Sequence, residues 1–334
     1  MLNYEEFKEK VADEFKDYLP EEFRDMKLQF SKVDKVNETI DGLTLRMDGV
    51  AISPTLYVDG MYEEYQNSGA FEAVMEQFAD LGVRAFQKGQ SMDYQIDYKN
   101  LKQNVVFQLV NKDNNQTLLS NIPNREMNDL AVIYRWVIGK TEDGMSSIIV
   151  KNDMAQNAGL TEEDLFQLAQ ENTRRNMPPK IESMEAVVLG IMEKEGMPQE
   201  FIDELKSDME GGLFSEKMEE NMMWILTNEC GINGAGTMLY DDQLQELSKR
   251  LNSNLFILPS SIHEIIAVST EVYEADSLME MVQDVNCLKV DVKDRLSNNV
   301  YHYDRDKHEL TMATDTPHKS LQDRQTFMVQ VAKR

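Results

Sequence analysis

The residues with the greatest capacity for chemistry are Ser260, Ser261, His263 and Glu264, which lie close together in a chain that has four histidines. Serine hydroxyls, an imidazole and a carboxylate are the groups that nucleophilic and general-base catalysis require. In an extended strand, however, Ser261 and His263 would share one face, whereas Ser260 and Glu264 would share the other. The sequence also contains no G-x-S-x-G nucleophile elbow. No catalytic residue is therefore assigned.

Apolar runs flank these polar residues, and Pro259 follows the first run. We interpret residues 257–264 as a tight turn between two core strands, in which the serine hydroxyls satisfy backbone groups and His263 makes a structural hydrogen bond. The rival hypothesis is a hydrolase or transferase that uses His263 as general base, with Ser260, Ser261 or a distant residue as nucleophile. The surroundings of His263 decide between the two.

A glycine-rich segment at 231–236 lies between a predicted strand and a predicted helix, which is the position of a phosphate-binding loop. The glycine spacing matches neither common nucleotide-binding pattern. Asp241 and Asp242 also stand at the helix start, where a phosphate would have to bind. We interpret the segment as a flexible connection in which Asp241 caps the helix. Asn233, together with Ser261 and His263, is kept as a ligand-binding candidate.

A third cluster contains the side chains of a conceivable metal site, namely His302, Asp304, Asp306 and His308. A hairpin that turns at positions 305 and 306 would place Tyr303 opposite His308 on one side and His302 opposite Glu309 on the other. The two histidines would then point to opposite faces. We therefore predict no metal site, and we expect no cofactor.

The formal net charge is −26, from 60 acidic and 34 basic residues. Because such a surface repels phosphates, we expect no direct nucleic-acid binding and no membrane binding. An acidic chain can also mimic DNA, and a DNA-mimicking inhibitor is a second alternative function. Cys230 and Cys287 belong to no metal-binding pattern. Residues 1–20 show no signal-peptide pattern, so we expect a cytoplasmic protein.

The apolar periodicity predicts an α+β fold with two modules, each a mixed or antiparallel sheet with packed helices. In the first module, a helix over 4–19 precedes a hairpin with Asp41 and Gly42 between its strands. A third strand, a helix over 71–86 and a strand over 104–110 follow. The polar segment 120–129, which contains Pro123, is the predicted boundary. The modules therefore span 1–122 and 123–313, and a polar tail covers 314–334.

The second module is predicted to alternate strands with helices. The predicted strands cover 131–137, 146–150, 222–227, 255–258, 264–268 and 299–303. One predicted helix begins at Thr161, which opens a capping box. Other predicted helices cover about 183–195, 199–210, 241–252 and 275–286. Residues 183–220 form a methionine-rich, acidic helical segment. We interpret its methionines as core residues, with a groove for a partner helix as the alternative.

Four short motifs occur in order along the chain. They are Leu-Tyr-Val-Asp from position 56, Ile-Leu-Pro-Ser-Ser-Ile-His-Glu at 257–264, Met-Val-x-x-Val-Asn at 281–286 and Leu-Ser-x-x-Val-Tyr-x-Tyr-Asp at 296–304. Together they resemble an uncharacterised domain-of-unknown-function family, found mainly in anaerobic gut-type Firmicutes. The resemblance runs from the first helix to Met312 and departs from the family pattern at Asn298, where an acidic residue is expected. It implies a cytoplasmic bacterial protein and carries no activity or site residue.

These observations together favour a non-catalytic binding or interaction protein. Its polar residues are embedded between apolar strands, but they do not form a complete catalytic set. We expect the second module to hold an unidentified protein, peptide or small-molecule ligand in a cleft near the turn at 257–264.

Overall fold

A computed structural model describes residues 1–48, 53–90, 98–141, 144–210 and 222–314. The chain divides into two compact units, Met1–Asp97 and Tyr98–Arg334. Each unit packs helices on antiparallel sheets, which confirms the predicted α+β class. No helix among the described residues has both the length and the apolar character that a membrane span requires.

The first unit packs three helices on a three-stranded antiparallel sheet in the order β1-β2-β3. Its elements are α1 (Tyr4–Glu14), 3₁₀ turns at Phe15–Tyr18 and Glu21–Phe23, β1 (Lys27–Lys35), β2 (Glu38–Arg46), β3 (Thr55–Tyr57), α2 (Val58–Ser68) and α3 (Phe71–Gln90). Asn3 and Glu6 form a capping box that starts α1, and the buried Phe7 and Val11 follow the predicted apolar stripe. Aromatic and aliphatic side chains from all three helices and the sheet fill one core.

The hairpin of the first unit turns at a different point from the predicted one. Lys35 pairs with Glu38, so the turn lies at 36–37, where Asn37 has a φ of 62°. Asp41 and Gly42 lie inside β2 instead. Asp41 is buried there, and the ammonium groups of Lys8 and Lys32 pair with its carboxylate at 2.9 and 3.0 Å, which compensates the buried charge. A positive φ at an asparagine, rather than the Asp-Gly pair, therefore marks this turn.

The second unit contains the remaining elements. These are α4 (Tyr98–Asn104), β4 (Val105–Asn111), a 3₁₀ turn (Asp113–Asn115), α5 (Gln116–Leu119), β5 (Asn124–Met127), β6 (Leu130–Thr141), β7 (Gly144–Ile149), α6 (Asn152–Asn157), α7 (Glu162–Asn176), β8 (Pro179–Ser183), α8 (Met184–Lys194), α9 (Gln199–Glu210), β9 (Trp224–Asn228), a 3₁₀ turn (Gly234–Leu239), α10 (Asp241–Arg250), β10 (Leu255–Leu258), β11 (Ile265–Ser269), α11 (Ala275–Leu288), a 3₁₀ turn (Val292–Asp294), β12 (Tyr301–Asp304) and β13 (Glu309–Met312). The strands and helices predicted for residues 131–303 are all present, with small shifts at their ends.

The division between the units falls at Asp97–Tyr98, whereas the sequence placed a boundary at 122–123. The difference arises because β4 pairs along its whole length with β6, from Val105 opposite Trp136 to Asn111 opposite Leu130. The segment read as a linker contains β5, which pairs with the other edge of β6. Asp129, in the β5–β6 turn, is buried and accepts hydrogen bonds from Ser297, Asn299 and Tyr301. The predicted tail, except for its first residue, lies outside the described residues.

Two antiparallel sheets share the main core of the second unit. One has the order β4-β6-β5, with β7 also on β6, and the other has the order β13-β12-β10-β11-β9-β8. The 3₁₀ turn Gly234–Leu239 lies between them, and its Gly236 leaves no room for a Cβ atom beside the ring of Phe107. The second sheet places the turn between β10 and β11 next to β9, which is where the sequence-predicted site residues gather.

Candidate functional site

In the turn between β10 and β11, Ser261 has a structural role. The Oγ atom of Ser261 accepts a hydrogen bond from the backbone N–H of His263 at 3.0 Å, and the Ser261 side chain is buried. Ser261 also forms an isolated bridge with Arg295, and Ile262 N–H donates to the carbonyl of Asp294 at 2.8 Å. The hydroxyl of Ser261 therefore stabilises the turn, as a serine two residues before an N–H commonly does.

Both nitrogens of the His263 ring have partners. The backbone N–H of Asn233 donates to Nδ1 at 3.3 Å, and Nε2 lies 3.4 Å from Oδ1 of Asp294. Because Nδ1 accepts a hydrogen bond, the neutral ring carries its proton on Nε2, toward the carboxylate. Among the described residues, no serine, threonine or cysteine hydroxyl or thiol bonds to this ring. The ring is therefore oriented by its neighbours, and no nucleophile is placed against it.

The glycine-rich segment packs against the same turn. A Cβ atom at Gly234 would lie 2.1 Å from Thr227 Oγ1 and 2.3 Å from the carbonyl oxygen of His263. Thr227 Oγ1 donates to that carbonyl at 2.8 Å, and the backbone N–H of Ala235 donates to the carbonyl of Ile262 at 3.2 Å. The glycine permits this close approach. Asn233 precedes it with a φ of 54°, and its side chain is half-buried.

Among the remaining residues of these two segments, Asp241 differs from its predicted role as a helix cap. Ser260 and Glu264 are half-buried, and among the described residues neither forms a hydrogen bond with the His263 ring. Asp241 is the first residue of α10, but its side chain does not cap the helix. It instead accepts a hydrogen bond from the Tyr303 hydroxyl and lies 2.8 Å from Nδ1 of His308. The Tyr303 hydrogen bond is the main cause that lowers the pKa of Asp241.

The histidines of the last hairpin are separated, although the register differs from the predicted one. His302 pairs with Thr311 and Tyr303 with Leu310, because residues 305–308 form the loop and His308 has a φ of 56°. His302 packs edge-on against the ring of Phe256, whereas His308 contacts Asp241. In the part of the chain that the structure describes, no three potential metal ligands come together.

A cavity lies elsewhere in the second unit, where β5 begins and β7 ends beside the middle of β6. It has a volume of about 490 Å³. The backbone between β7 and α7, which includes α6, forms one wall, and the residues before β5 form the other. The lining residues are Ile122, Pro123, Asn124, Asn152, Ala155, Gln156, Leu160 and Glu162. We call this space the Glu162 cavity.

Glu162 is held in place from two sides. Its Oε1 atom accepts hydrogen bonds from the Tyr134 hydroxyl and from Arg125 Nε at 3.1 Å, and its Oε2 accepts from Arg125 Nη2 at 2.9 Å. Arg125 also pairs with Glu163 and stacks over the ring of Phe166 at 3.9 Å. Burial, and then the hydrogen bond to Glu162, raises the pKa of Tyr134, so its hydroxyl stays protonated. The bidentate arginine fixes the carboxylate in one orientation.

The amides of the cavity differ in how they are used. The Nδ2 atom of Asn124 donates to the carbonyls of Leu119 and Ile122 at 2.8 and 2.9 Å, which leaves its Oδ1 as an acceptor. Asn152 and Gln156 are exposed on α6, and no described residue forms a hydrogen bond with either side chain. The cavity thus combines apolar walls, one oriented carboxylate and amide groups with unused hydrogen-bonding capacity.

The sequence did not identify this cavity, although one signal pointed to part of it. Thr161 and Asp164 form the predicted capping box at the start of α7, with the Thr161 Oγ1 accepting from Asp164 N–H at 3.2 Å. That box fixes where Glu162 projects. Residues 122–124, on the opposite wall, were read as part of a linker because they are polar and include Pro123.

A search of the curated proteins and a search of the solved structures each returned no match. A family model described as "Family of unknown function (DUF5688)" matches residues 4–305, which is most of the chain and includes both units. The matched region contains the Glu162 cavity and the turn around His263. The chain therefore belongs to the DUF5688 family of unknown function.

Proposed function

We propose that this protein is a non-catalytic binding protein of the bacterial cytoplasm, and that its second unit holds a small polar ligand or a short peptide in the Glu162 cavity. The observation that carries the proposal is a space of about 490 Å³ with amide groups that no described residue uses. Sites for small molecules commonly measure about 300–1,000 Å³ and combine apolar walls with a few oriented polar groups. The turn around His263 supports binding less well, because its polar atoms bond mainly to one another and to the backbone.

The chemistry of the lining restricts the ligand. Ile122, Pro123 and Leu160 favour an apolar portion, and the amides favour a group that both donates and accepts hydrogen bonds, such as a peptide unit. The carboxylate of Glu162 is compensated by Arg125, while the nearby Glu163 adds a further negative charge. The expected ligand is therefore neutral or cationic, because an anion would meet uncompensated acid.

The location in the cytoplasm has independent support in the cysteines. Cys230 and Cys287 are both free thiols. Free thiols of this kind persist in reducing compartments, whereas secreted proteins usually pair them. The resemblance to proteins of anaerobic gut-type Firmicutes supports the same compartment and a bacterial origin.

The test is whether a panel of capped di- and tripeptides stabilises the full chain. The quantity measured is the shift in its melting temperature. A peptide at a hundred times its Kd should stabilise the folded state by about 2.7 kcal/mol. The double variant Asn152→Ala with Gln156→Ala should weaken the Kd at least tenfold. Asn157→Ala is the matched control, because it is also exposed on α6 but does not line the cavity.

Two results would contradict the proposal. In the first, no capped peptide in the panel shifts the melting temperature. In the second, the double variant binds as tightly as the unaltered chain. A ligand that binds equally well to both would lie outside the Glu162 cavity.

The pairing of His263 with Asp294 keeps an enzyme as the second candidate function, because an imidazole beside a carboxylate supplies two of the three groups of a hydrolytic triad. Hydrolysis of p-nitrophenyl acetate and p-nitrophenyl phosphate tests this candidate directly. Turnover that disappears in His263→Ala would favour the enzyme and overturn the non-catalytic proposal. We expect no turnover that depends on His263, since both ring nitrogens already have partners.

A further inference from the structure

Helix α11 carries a broad apolar surface, and only part of it is covered. Leu278 and Val282 are buried in a small core against the six-stranded sheet. Met281, Val285 and Leu288 face outward instead, with 43%, 40% and 65% of their surface exposed. Three large apolar side chains in a row on one exposed face differ from the scattered exposed residues that any soluble protein has.

The spacing of these residues is that of the contact surface in a two-helix coiled coil. We call the surface formed by Met281, Val285 and Leu288 the seam. Met281, Val285 and Leu288 are separated by four and then three positions, which is the alternation of the a and d positions of a heptad. Val285 occupies an a position, and Met281 and Leu288 occupy d positions. A β-branched residue at an a position with leucine at a d position favours a parallel coiled coil of two helices over one of three or four.

The charges beside the seam would allow two identical helices to form ion pairs with each other. Asp284 occupies the g position on one side of the seam, and Lys289, just after the end of α11, occupies the e position on the other side. Both side chains are exposed, and no described residue forms an ion pair with either. In two parallel helices, a g residue faces the e residue five positions later on the other helix. Asp284 of each copy would then face Lys289 of the other.

We propose that two copies of this chain associate in parallel through the exposed face of α11, around a two-fold axis that runs along the helices. A second copy is the occupant that fits, because one surface supplies both halves of the Asp284–Lys289 pair. An antiparallel arrangement would bring the two copies of Asp284 together and is disfavoured by like-charge repulsion. Since few side chains take part, the dimer is weak and forms at high protein concentration.

The test of the seam is the oligomeric state of the full chain over a wide range of protein concentration, measured by sedimentation velocity. We expect a reversible monomer–dimer equilibrium that Leu288→Glu shifts to monomer, because the substitution places two carboxylates in the seam. Leu81→Glu is the matched control, since Leu81 is 52% exposed on α3 of the first unit. A monomer at all concentrations, or a dimer that Leu288→Glu leaves intact, would overturn the proposal.

The charge pair tests the orientation. Asp284→Lys and Lys289→Asp should each weaken the dimer by roughly threefold or more, because each creates two like-charge contacts. The double variant restores opposite charges and should recover most of the lost affinity. An equimolar mixture of the two single variants should form heterodimers in preference to either homodimer. Asp284→Asn should also weaken the dimer, because it removes the pair with Lys289. If Asp284→Asn instead strengthens the dimer, the helices are antiparallel and the parallel proposal is wrong.

Discussion

The turn around His263 and the Glu162 cavity both collect polar side chains at strand ends of the second unit, but they use them in opposite ways. In the turn, Ser261 Oγ, both nitrogens of the His263 ring and the Thr227 hydroxyl bond to neighbouring groups. In the cavity, the side chains of Asn152 and Gln156 form no hydrogen bond with any described residue. The turn contains the residue types of catalysis, whereas the cavity retains hydrogen-bonding capacity for a ligand.

The difference teaches that the residue types alone do not identify a site. A polar group in the interior must be hydrogen-bonded or it destabilises the fold, so a group that satisfies its neighbours is not available to a ligand. The turn holds two strands and a close-packed glycine together. The cavity keeps its polar groups at a surface where water or a ligand can satisfy them. Substitutions in the turn should therefore affect stability, and substitutions in the cavity should affect binding.

The largest expected effect is at the contact between the glycine-rich segment and the turn. Gly234→Ala should lower the free energy of unfolding by about 3 kcal/mol or more, because a Cβ atom would overlap Thr227 Oγ1 and a backbone carbonyl. Denaturant unfolding followed by the fluorescence of Trp224 and Trp136, both in the second unit, measures the change.

The matched control for this substitution is Gly190→Ala in α8. A Cβ atom at Gly190 would meet nothing within 4 Å. Since alanine is the better helix former, this variant should be more stable by about 0.5–1 kcal/mol. Equal effects at the two glycines would show that the close approach at Gly234 does not matter and would weaken the comparison.

The next largest effect concerns His263 itself. His263→Ala should lower the free energy of unfolding by about 1–2 kcal/mol, because the N–H of Asn233 loses its acceptor. His263→Asn should cost less, since its Oδ1 atom can occupy the position of Nδ1. Both variants should bind the cavity ligand with unchanged Kd. A ligand whose affinity falls only in the His263 variants would move the binding site to the turn.

A smaller effect is expected from pH at the capping box beside the cavity. Hydrogen bonds from the Thr161 hydroxyl and backbone N–H lower the pKa of Asp164. A lowered folded-state pKa contributes stability that is fully present above the ordinary pKa and is lost as the pH falls through the folded value. The stability difference between the unaltered chain and Asp164→Asn should therefore shrink from neutral pH toward pH 2. A constant difference over that range would contradict the role of the ionised carboxylate.

The smallest effect on stability should come from the cavity amides. Asn152→Ala and Gln156→Ala should each change the free energy of unfolding by no more than about 0.5 kcal/mol, because both side chains are exposed and bond to no described residue. Denaturant unfolding measures these values beside those of the His263 variants. A loss as large as that of His263→Ala would mean that the amides serve the fold, and the contrast between the two regions would disappear.

Local signals in the sequence predicted much of the fold. The Thr161 capping box starts α7 as predicted, and the apolar runs at 255–258 and 265–268 predict β10 and β11. These features depend on neighbours within a few positions. The β5 strand was missed because a polar segment with a proline reads as a linker, and it becomes a strand only by pairing with β6. The register of the last hairpin was also displaced, since its loop includes His308 in a left-handed conformation.

By itself, the sequence determined the α+β class and the order of most elements, because both follow from periodicity and nearest neighbours. Only the tertiary structure decided what the polar residues around His263 contact. The pairing of β4 and β5 with β6 joins residues far apart in the chain, and it brings residues 122–124 to the segment that ends at Glu162. No local pattern encodes such a juxtaposition, since the contacts depend on sheet register and on how side chains from distant segments fill one core.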